Sequence, residues 1–298
     1  MNRRQMIAAG LGAALAPTNG EELASRVCLF TDHLAGFTYQ EVATMLRQLG
    51  TTGPDLTVRK GGLVNPEHAS EELPKAAAAM KEQGLSIPMM TTNVVSADHA
   101  LTKPLLSTAA RLGIRYYKLG YYPYQDLSKW QETITNTGRE LGKLAALNRE
   151  LGLHAGLHNH AGDSVGCALW DAWEALGDIN SKQVGFYFDP AQATIEGGKT
   201  GWNLGYRRVA SRTAMIAVKD FVWEKSSNGW KTRWVPLGQG MVQLPAFCKL
   251  LRAARFEGPI SLHIEYNPGG TTKASRYDKS MEAAARDLKY LKDLLRAT

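Results

Sequence analysis

From Arg26 onward the chain alternates short apolar runs with longer segments whose apolar positions recur at helical spacing. Val27-Cys28-Leu29-Phe30 reads as a strand, and Tyr39 to Leu49 as a helix stopped by Gly50. Asp55-Leu56-Thr57-Val58 reads as the second strand, with a turn at Arg59-Lys60-Gly61-Gly62. Pro66 opens a long helix with an Ala-rich middle, Ala76 to Met80, and Gly84 ends it. Ile87 to Thr92 is the third strand, Leu101 to Leu112 the next helix, and Arg115 to Leu119 the fourth strand. Trp130 to Leu151 is the longest helix, closed by Gly152.

The second half keeps the beat. Leu153 to Asp163 opens on a strand in which His154, His158 and His160 share one face by the two-residue period. A helix follows from Ala168 to Leu176, then a sixth strand, Val184 to Asp189, and a helix from Leu204 to Ser211. Met215 to Lys219 is the seventh strand, followed by a polar loop through Ser226, Asn228 and Gly229. Leu244 to Ala254 is a helix, Pro259 to Glu265 the eighth strand, and a charged helix from about Thr272 closes the chain. Strands and helices alternating in this way predict an α/β fold: a (β/α)8 TIM barrel, a single domain over residues 26–298. A doubly wound sheet is the alternative, but no G-x-G-x-x-G follows the first strand.

Composition narrows the class. The chain has 298 residues and a formal charge of +7, but Arg3 and Arg4 carry two of these charges and residues 273–298 a net three. The body is then close to neutral, which argues against a nucleic-acid partner. Cys28, Cys167 and Cys248 are scattered and read as separate thiols. No apolar run is long enough to span a bilayer, so the chain is not expected to be membrane-embedded. Residues 1–25 differ in kind: Arg3-Arg4, an uncharged stretch and Ala14-Leu15-Ala16 read as a twin-arginine export signal, which predicts a periplasmic protein. Pro17, just after that cleavage position, favours the alternative of a basic tail on a cytoplasmic protein.

In a parallel barrel the C-terminal strand ends face one mouth, where chemistry collects. The ends read here are Arg59, Lys118, His158 with His160, Asp189, Lys219 with Asp220, and His263 with Glu265. Carboxylates and imidazoles from separate strands form a ligand set for a divalent ion such as Mn, Zn or Mg. Such an ion suits sugar isomerisation, because it polarises a carbonyl. Bland alternatives remain for each: Asp189 before Pro190 also reads as a turn cap, and Lys219 with Asp220 as a local ion pair. Tyr116, Tyr117, Tyr121, Tyr122 and Tyr124 would suit stacking on a sugar ring or core packing.

Leu157-His158-Asn159-His160, Phe188-Asp189-Pro190-Ala191-Gln192, Ala217-Val218-Lys219-Asp220 and Ile264-Glu265-Tyr266 occur in an order that resembles the xylose isomerase-like TIM-barrel proteins. Val218 to Gly240 is similar to the exported, uncharacterised branch of that sugar phosphate isomerase/epimerase superfamily. The resemblance implies metal-assisted proton transfer beside a sugar carbonyl, by an isomerase, epimerase or related lyase or hydratase. It assigns Asp189 and Glu265 to the ion, with His158 and His160 as the candidates to complete a rebuilt site, and catalysis to Glu265, Lys219 and Asp189. Arg59, Lys118, His158, Gln192 and Tyr122 are then expected to bind the sugar or sugar derivative, in a chain able to form a homo-oligomer. Three positions depart from the pattern: His158 stands where Glu is usual, Gln192 where His is usual, and Ala217 where His is usual. These departures keep open a sugar-binding barrel without catalysis; a DNA-repair endonuclease of the same superfamily fits the neutral body poorly.

Overall fold

The computed structural model describes residues 19–297. Numbered in chain order, eight parallel strands close in the ring β1 (Val27–Phe30), β10 (Ile260–Leu262), β7 (Thr213–Val218), β6 (Val184–Phe188), β5 (His154–His158), β4 (Tyr116–Lys118), β3 (Met89–Thr92) and β2 (Pro54–Val58). Helices α2 (Tyr39–Gln48), α3 (Ala69–Glu82), α4 (Thr102–Arg111) and α5 (Trp130–Leu151) each follow one strand of the first half. In the second half α6 (Trp170–Leu176), α7 (Pro190–Val209), α8 (Leu244–Ala253) and α9 (Lys273–Arg296) do the same. This is the expected single TIM barrel.

The two-residue period divides each strand between two cores. Outward side chains such as Leu29, Leu56, Met90, Leu157, Phe186 and Ile216 pack beneath the helices. Inward side chains Cys28, Met89, Tyr187, Met215 and Ala217 form a separate plug inside the barrel, with Tyr116 against it. Gly156 on β5 makes room for this plug: a Cβ there would lie 2.2 Å from the Met215 methyl. The helices start where short polar side chains satisfy free backbone amides. Thr38 forms a capping box on α2, and Thr272 does so on α9. Gly152 ends α5 in the left-handed region, at φ 67°.

Three boundaries differ from the sequence reading. The loop after the seventh strand is an antiparallel hairpin, β8 (Asp220–Ser226) and β9 (Gly229–Val235), closed by the two residues Ser227 and Asn228. The helix expected from Leu204 begins at Pro190, and its backbone breaks at Gly198, where φ is 60°. Finally, α1 (Asn19–Ser25) belongs to the folded body rather than to a leading tail. Leu23 and Ala24 are buried, and Arg296 of α9 pairs with Glu21 at 2.9 Å. The Arg3-Arg4 and Ala14-Leu15-Ala16 features of the export reading lie outside the described residues. Among the described residues no helix is long and apolar enough to cross a membrane.

Candidate active site

The C-terminal mouth of the barrel opens into a cavity of about 650 Å³. Arg59, Lys118, His158, His160, Lys219 and Glu265 all line it, as the strand-end parity predicts. Asp189 lies just behind them, fully buried.

The Lys219 ammonium organises the β7 side of the mouth. It lies 2.9 Å from Glu265 Oε1 and 3.3 Å from Asp189 Oδ2, on a side chain that is almost wholly buried. Burial alone would lower its pKa, but the two carboxylates reverse the direction and hold it above the ordinary lysine value. The carboxylates respond in kind. Burial would raise Asp189, yet Lys219 and His158 bring it down to about 2. Glu265 is likewise held below the usual carboxylate range, because Lys219 and His263 outweigh its desolvation.

Local structure fixes each partner. Asp189 caps α7 with Oδ1, which accepts from Ala191 N at 2.8 Å and Gln192 N at 3.1 Å, so only Oδ2 faces Lys219. The cap and the site role are therefore compatible. His158 places Nε2 3.4 Å from that same Oδ2 and Nδ1 3.3 Å from the Tyr121 hydroxyl. Burial lowers the His158 pKa to about 3, so the ring is neutral near pH 7 and can donate from Nε2 while accepting at Nδ1. Asp220 does not pair with Lys219. Its carboxylate instead accepts the backbone amides of Phe221, Gly238, Gly240 and Val242, pinning the loop that follows the hairpin. From β9, Trp234 lays its ring 4.4 Å from the Lys219 ammonium.

A second layer holds Glu265. His263 Nδ1 is 3.1 Å from Glu265 Oε1, and His263 Nε2 is 2.8 Å from the Tyr187 hydroxyl. That hydroxyl lies 3.3 Å from Asp55, which also accepts from Ser261 at 2.8 Å and Thr91 at 2.9 Å. Phe30 stacks on the His263 ring at 4.1 Å. Asp55, Tyr187 and Trp234 were not singled out from the sequence, and His263 was noted only as a strand-end neighbour. Asp55 carried a readable signal, a carboxylate at an inward position of an apolar strand, and Tyr187 shares the face of Asp189.

Two expected sugar contacts lie elsewhere. Gln192 is buried and spends Oε1 on Ala161 N at 3.0 Å, bracing the loop that carries His160 rather than lining the cavity. Tyr122 donates to Val95 O at 2.9 Å and borders a separate cavity of about 360 Å³. Its neighbour Tyr121 is the member of the tyrosine cluster that reaches the mouth.

The expected metal ligands also fail to assemble. Among the described residues no three His, Cys, Asp or Glu side chains converge on a point that could hold an ion. His160 turns Nδ1 to Ala161 O at 2.7 Å, and the Lys219 ammonium fills the gap between Asp189 and Glu265. With its ammonium there, Lys219 already supplies the positive charge and hydrogen bonds that balance both carboxylates, and their facing oxygens are not free to ligate an ion. The residues present do not fit a divalent ion.

The sequence profile described as xylose isomerase-like TIM barrel matches residues 35–294. A xylose isomerase-like TIM barrel protein from Mycobacterium smegmatis, solved in complex with magnesium, superposes with a TM-score of 0.66 at 16% identity, over 94% of this chain and 99% of that one. A D-psicose 3-epimerase solved in the presence of D-fructose gives 0.67 at 16% identity, over 91% and 100%. The probable 3-DHS dehydratase of Bacillus anthracis gives 0.65 at 14% identity, over 89% and 98%. At these identities the likeness to the solved structures establishes the fold alone. No curated protein sequence matches the chain.

Proposed function

Because this chain belongs to the xylose isomerase-like TIM-barrel family, we propose that it transforms a keto-sugar by moving a proton on the carbon beside the carbonyl. The observation that carries this reading is the buried ammonium of Lys219 held between Asp189 and Glu265 at the floor of a sugar-sized cavity. Epimerases and a dehydratase among the structural neighbours support the same class of chemistry.

The geometry suits three roles. The carbonyl oxygen docks on Lys219, whose fixed positive charge stabilises the oxyanion as it develops. Glu265 takes the proton from the adjacent carbon; the C–H electron pair moves into the new C–C double bond and the carbonyl pair onto oxygen. Glu265 begins as a weak base because Lys219 holds its charge. Once the enolate oxygen draws on that ammonium, the carboxylate becomes more basic as its proton arrives. Asp189 and neutral His158 keep Lys219 aimed, while His263 orients Glu265 through Nδ1. Protonation of the enolate from the opposite face by a solvent proton, while Glu265 keeps the first, gives an epimer. Return of the proton to the former carbonyl carbon, with the adjacent hydroxyl proton passing to the enolate oxygen, gives an isomer. Expelling a β-hydroxyl instead gives a lyase product. No step is routed through a metal ion, since the donor set does not fit one.

The test is deuterium wash-in. A panel of keto-sugars including D-fructose is incubated with the protein in D2O and followed by NMR. The expected result is exchange at the carbon next to the carbonyl for at least one sugar. Glu265→Gln, which keeps the shape of the side chain, should slow exchange by about 10²–10⁴-fold with unchanged circular dichroism. A parent protein that binds a keto-sugar without washing in deuterium would instead be a binding barrel.

A further inference from the structure

A second lysine in the cavity is not used by this chemistry. Lys118 ends β4, four places from β10 around the eight-strand ring, and so faces the Glu265 side across the mouth. The residue is only 2% exposed, and its Nζ has no hydrogen-bond partner among the described residues. The ammonium lies over the face of Tyr121, with Nζ 3.6 Å from the ring centroid.

The charged neighbours are all committed elsewhere. Asp55, the nearest influence of opposite sign, is taken by Thr91, Ser261 and Tyr187. Arg59 pairs with Asp32 at 2.5 Å, and Lys219 with its two carboxylates. His158, on the adjacent strand, already meets Asp189 and Tyr121. Burying an unpartnered ammonium is unfavourable, and a fold that needed only an apolar wall would place a methionine there.

We infer that Lys118, flanked by Arg59, forms a subsite for an anionic group of the substrate, so that the natural ligand is a keto-sugar acid or a keto-sugar phosphate rather than a neutral sugar. This deepens the proton-transfer reading and rests on it for the placement of the carbonyl at Lys219. A carboxylate or phosphoryl oxygen would supply the missing acceptor through a charge-assisted hydrogen bond. Burial, Arg59 and Lys219 hold the free Lys118 near pKa 7, and an arriving anion would push it back up. The substrate then spans the mouth, anion on β4 and reacting carbonyl on β7.

The experiment compares D-fructose, D-fructuronate and D-fructose 6-phosphate, which differ only at C6, by calorimetric titration at pH 7 in buffers of different ionisation enthalpy. The expected result is at least about tenfold tighter binding of one charged sugar than of D-fructose, with proton uptake on binding. The charged sugar that binds identifies the group as carboxylate or phosphoryl. Lys118→Met should abolish both the preference and the proton uptake, with Lys118→Gln as a second variant. D-fructose binding as tightly as both charged sugars, failure of both to bind, or a preference retained in both variants would overturn the inference. Deuterium wash-in read on the same samples separates the two proposals. Preference without exchange removes the enzyme and keeps the subsite; exchange with D-fructose as efficient as with either acid does the reverse.

Discussion

Lys118 and Lys219 are the same residue type at the same depth, each 2% exposed on the inner face of one barrel, and their electrostatics point in opposite directions. Lys219 has two carboxylates within 3.3 Å and is held above the ordinary lysine pKa. Lys118 has none among the described residues, and burial brings it down to about 7. Burial favours the neutral amine at both sites, so the difference lies wholly in the partners. One side of the mouth is complete without a ligand, and the other is built around a missing acceptor. The contrast separates a residue that organises the site from one that awaits its substrate.

The largest effect should come from breaking the complete side. Lys219→Met strands the fully buried carboxylate of Asp189 without a cation, beside the partly exposed Glu265, and removing one partner of a buried pair typically destabilises by about 3–5 kcal/mol. A lower Tm in thermal denaturation near neutral pH would show it. Ionised Asp189 has a depressed folded pKa, so its contribution in the parent is present above the unfolded value near 3.9 and lost as pH falls toward about 2. The gap between parent and variant should therefore narrow on acidification. Deuterium exchange should fall by about 10²–10³-fold, since the oxyanion loses its stabiliser. Lys219→Ala should also open the space between the carboxylates, so that manganese binds measurably by paramagnetic resonance. Parent protein freed of metal by a chelator should keep its exchange activity; an activity restored only by added manganese would show that the ammonium does not serve in the ion's place.

Lys118→Met should move stability the other way, and by less. It removes an unpartnered buried ammonium, for a gain of about 1–3 kcal/mol at pH 6. The pH dependence follows from the lowered folded pKa. Between about 7 and the unfolded value near 10.4 the unfolded chain binds one more proton than the folded chain, so parent stability rises with pH over that window. The advantage of the variant should shrink across the same window. Urea denaturation of both proteins at pH 6 and pH 9 measures it, and an advantage independent of pH would mean that Lys118 is not the group titrating.

How much of this contrast the sequence holds depends on what strand parity can see. Parity places His158, Asp189, Lys219 and Glu265 at one mouth, because their strands alternate faces and each apolar run ends at these polar residues. It is blind to reach. Lys219 is long enough to insert its ammonium between two carboxylates that the order of motifs suggests are metal ligands, and no spacing rule reports that. Parity also fails where a strand ends. After Lys118 the chain leaves β4 through Leu119 and Gly120, so Tyr121 turns to the mouth and Tyr122 to Val95. Gln192 belongs to the first turn of α7, where its partner is a loop amide rather than the cavity. The hairpin that brings Trp234 over Lys219 is hidden because its polar residues, Glu224, Lys225 and Lys231, resemble a loop, although Val222, Trp234 and the Ser227-Asn228 turn before Gly229 mark a ribbon.

The smallest effect concerns the aromatic covers, which the two lysines have in common. Tyr121 lies over Lys118 at 3.6 Å and Trp234 over Lys219 at 4.4 Å. A cation over an aromatic face gains about 0.5–2 kcal/mol, equivalent to a shift of up to about 1.5 pH units. If carboxylates decide the state of Lys219, its ring is a minor partner, and Trp234→Leu should leave the ammonium protonated past pH 10. Lys118 has little besides its ring, so Tyr121→Leu should carry its midpoint below 7. Tyr121 also touches His158 Nδ1 at 3.3 Å, and Tyr121→Phe, which keeps the ring and loses the hydroxyl, isolates that contribution. Titration of carbon-13-labelled lysine side chains by NMR reads both ammoniums in one sample. Equal shifts in the two leucine variants would mean that aromatic cover, not ion pairing, sets the two lysines apart, and the division of the mouth into a complete and an awaiting side would fail.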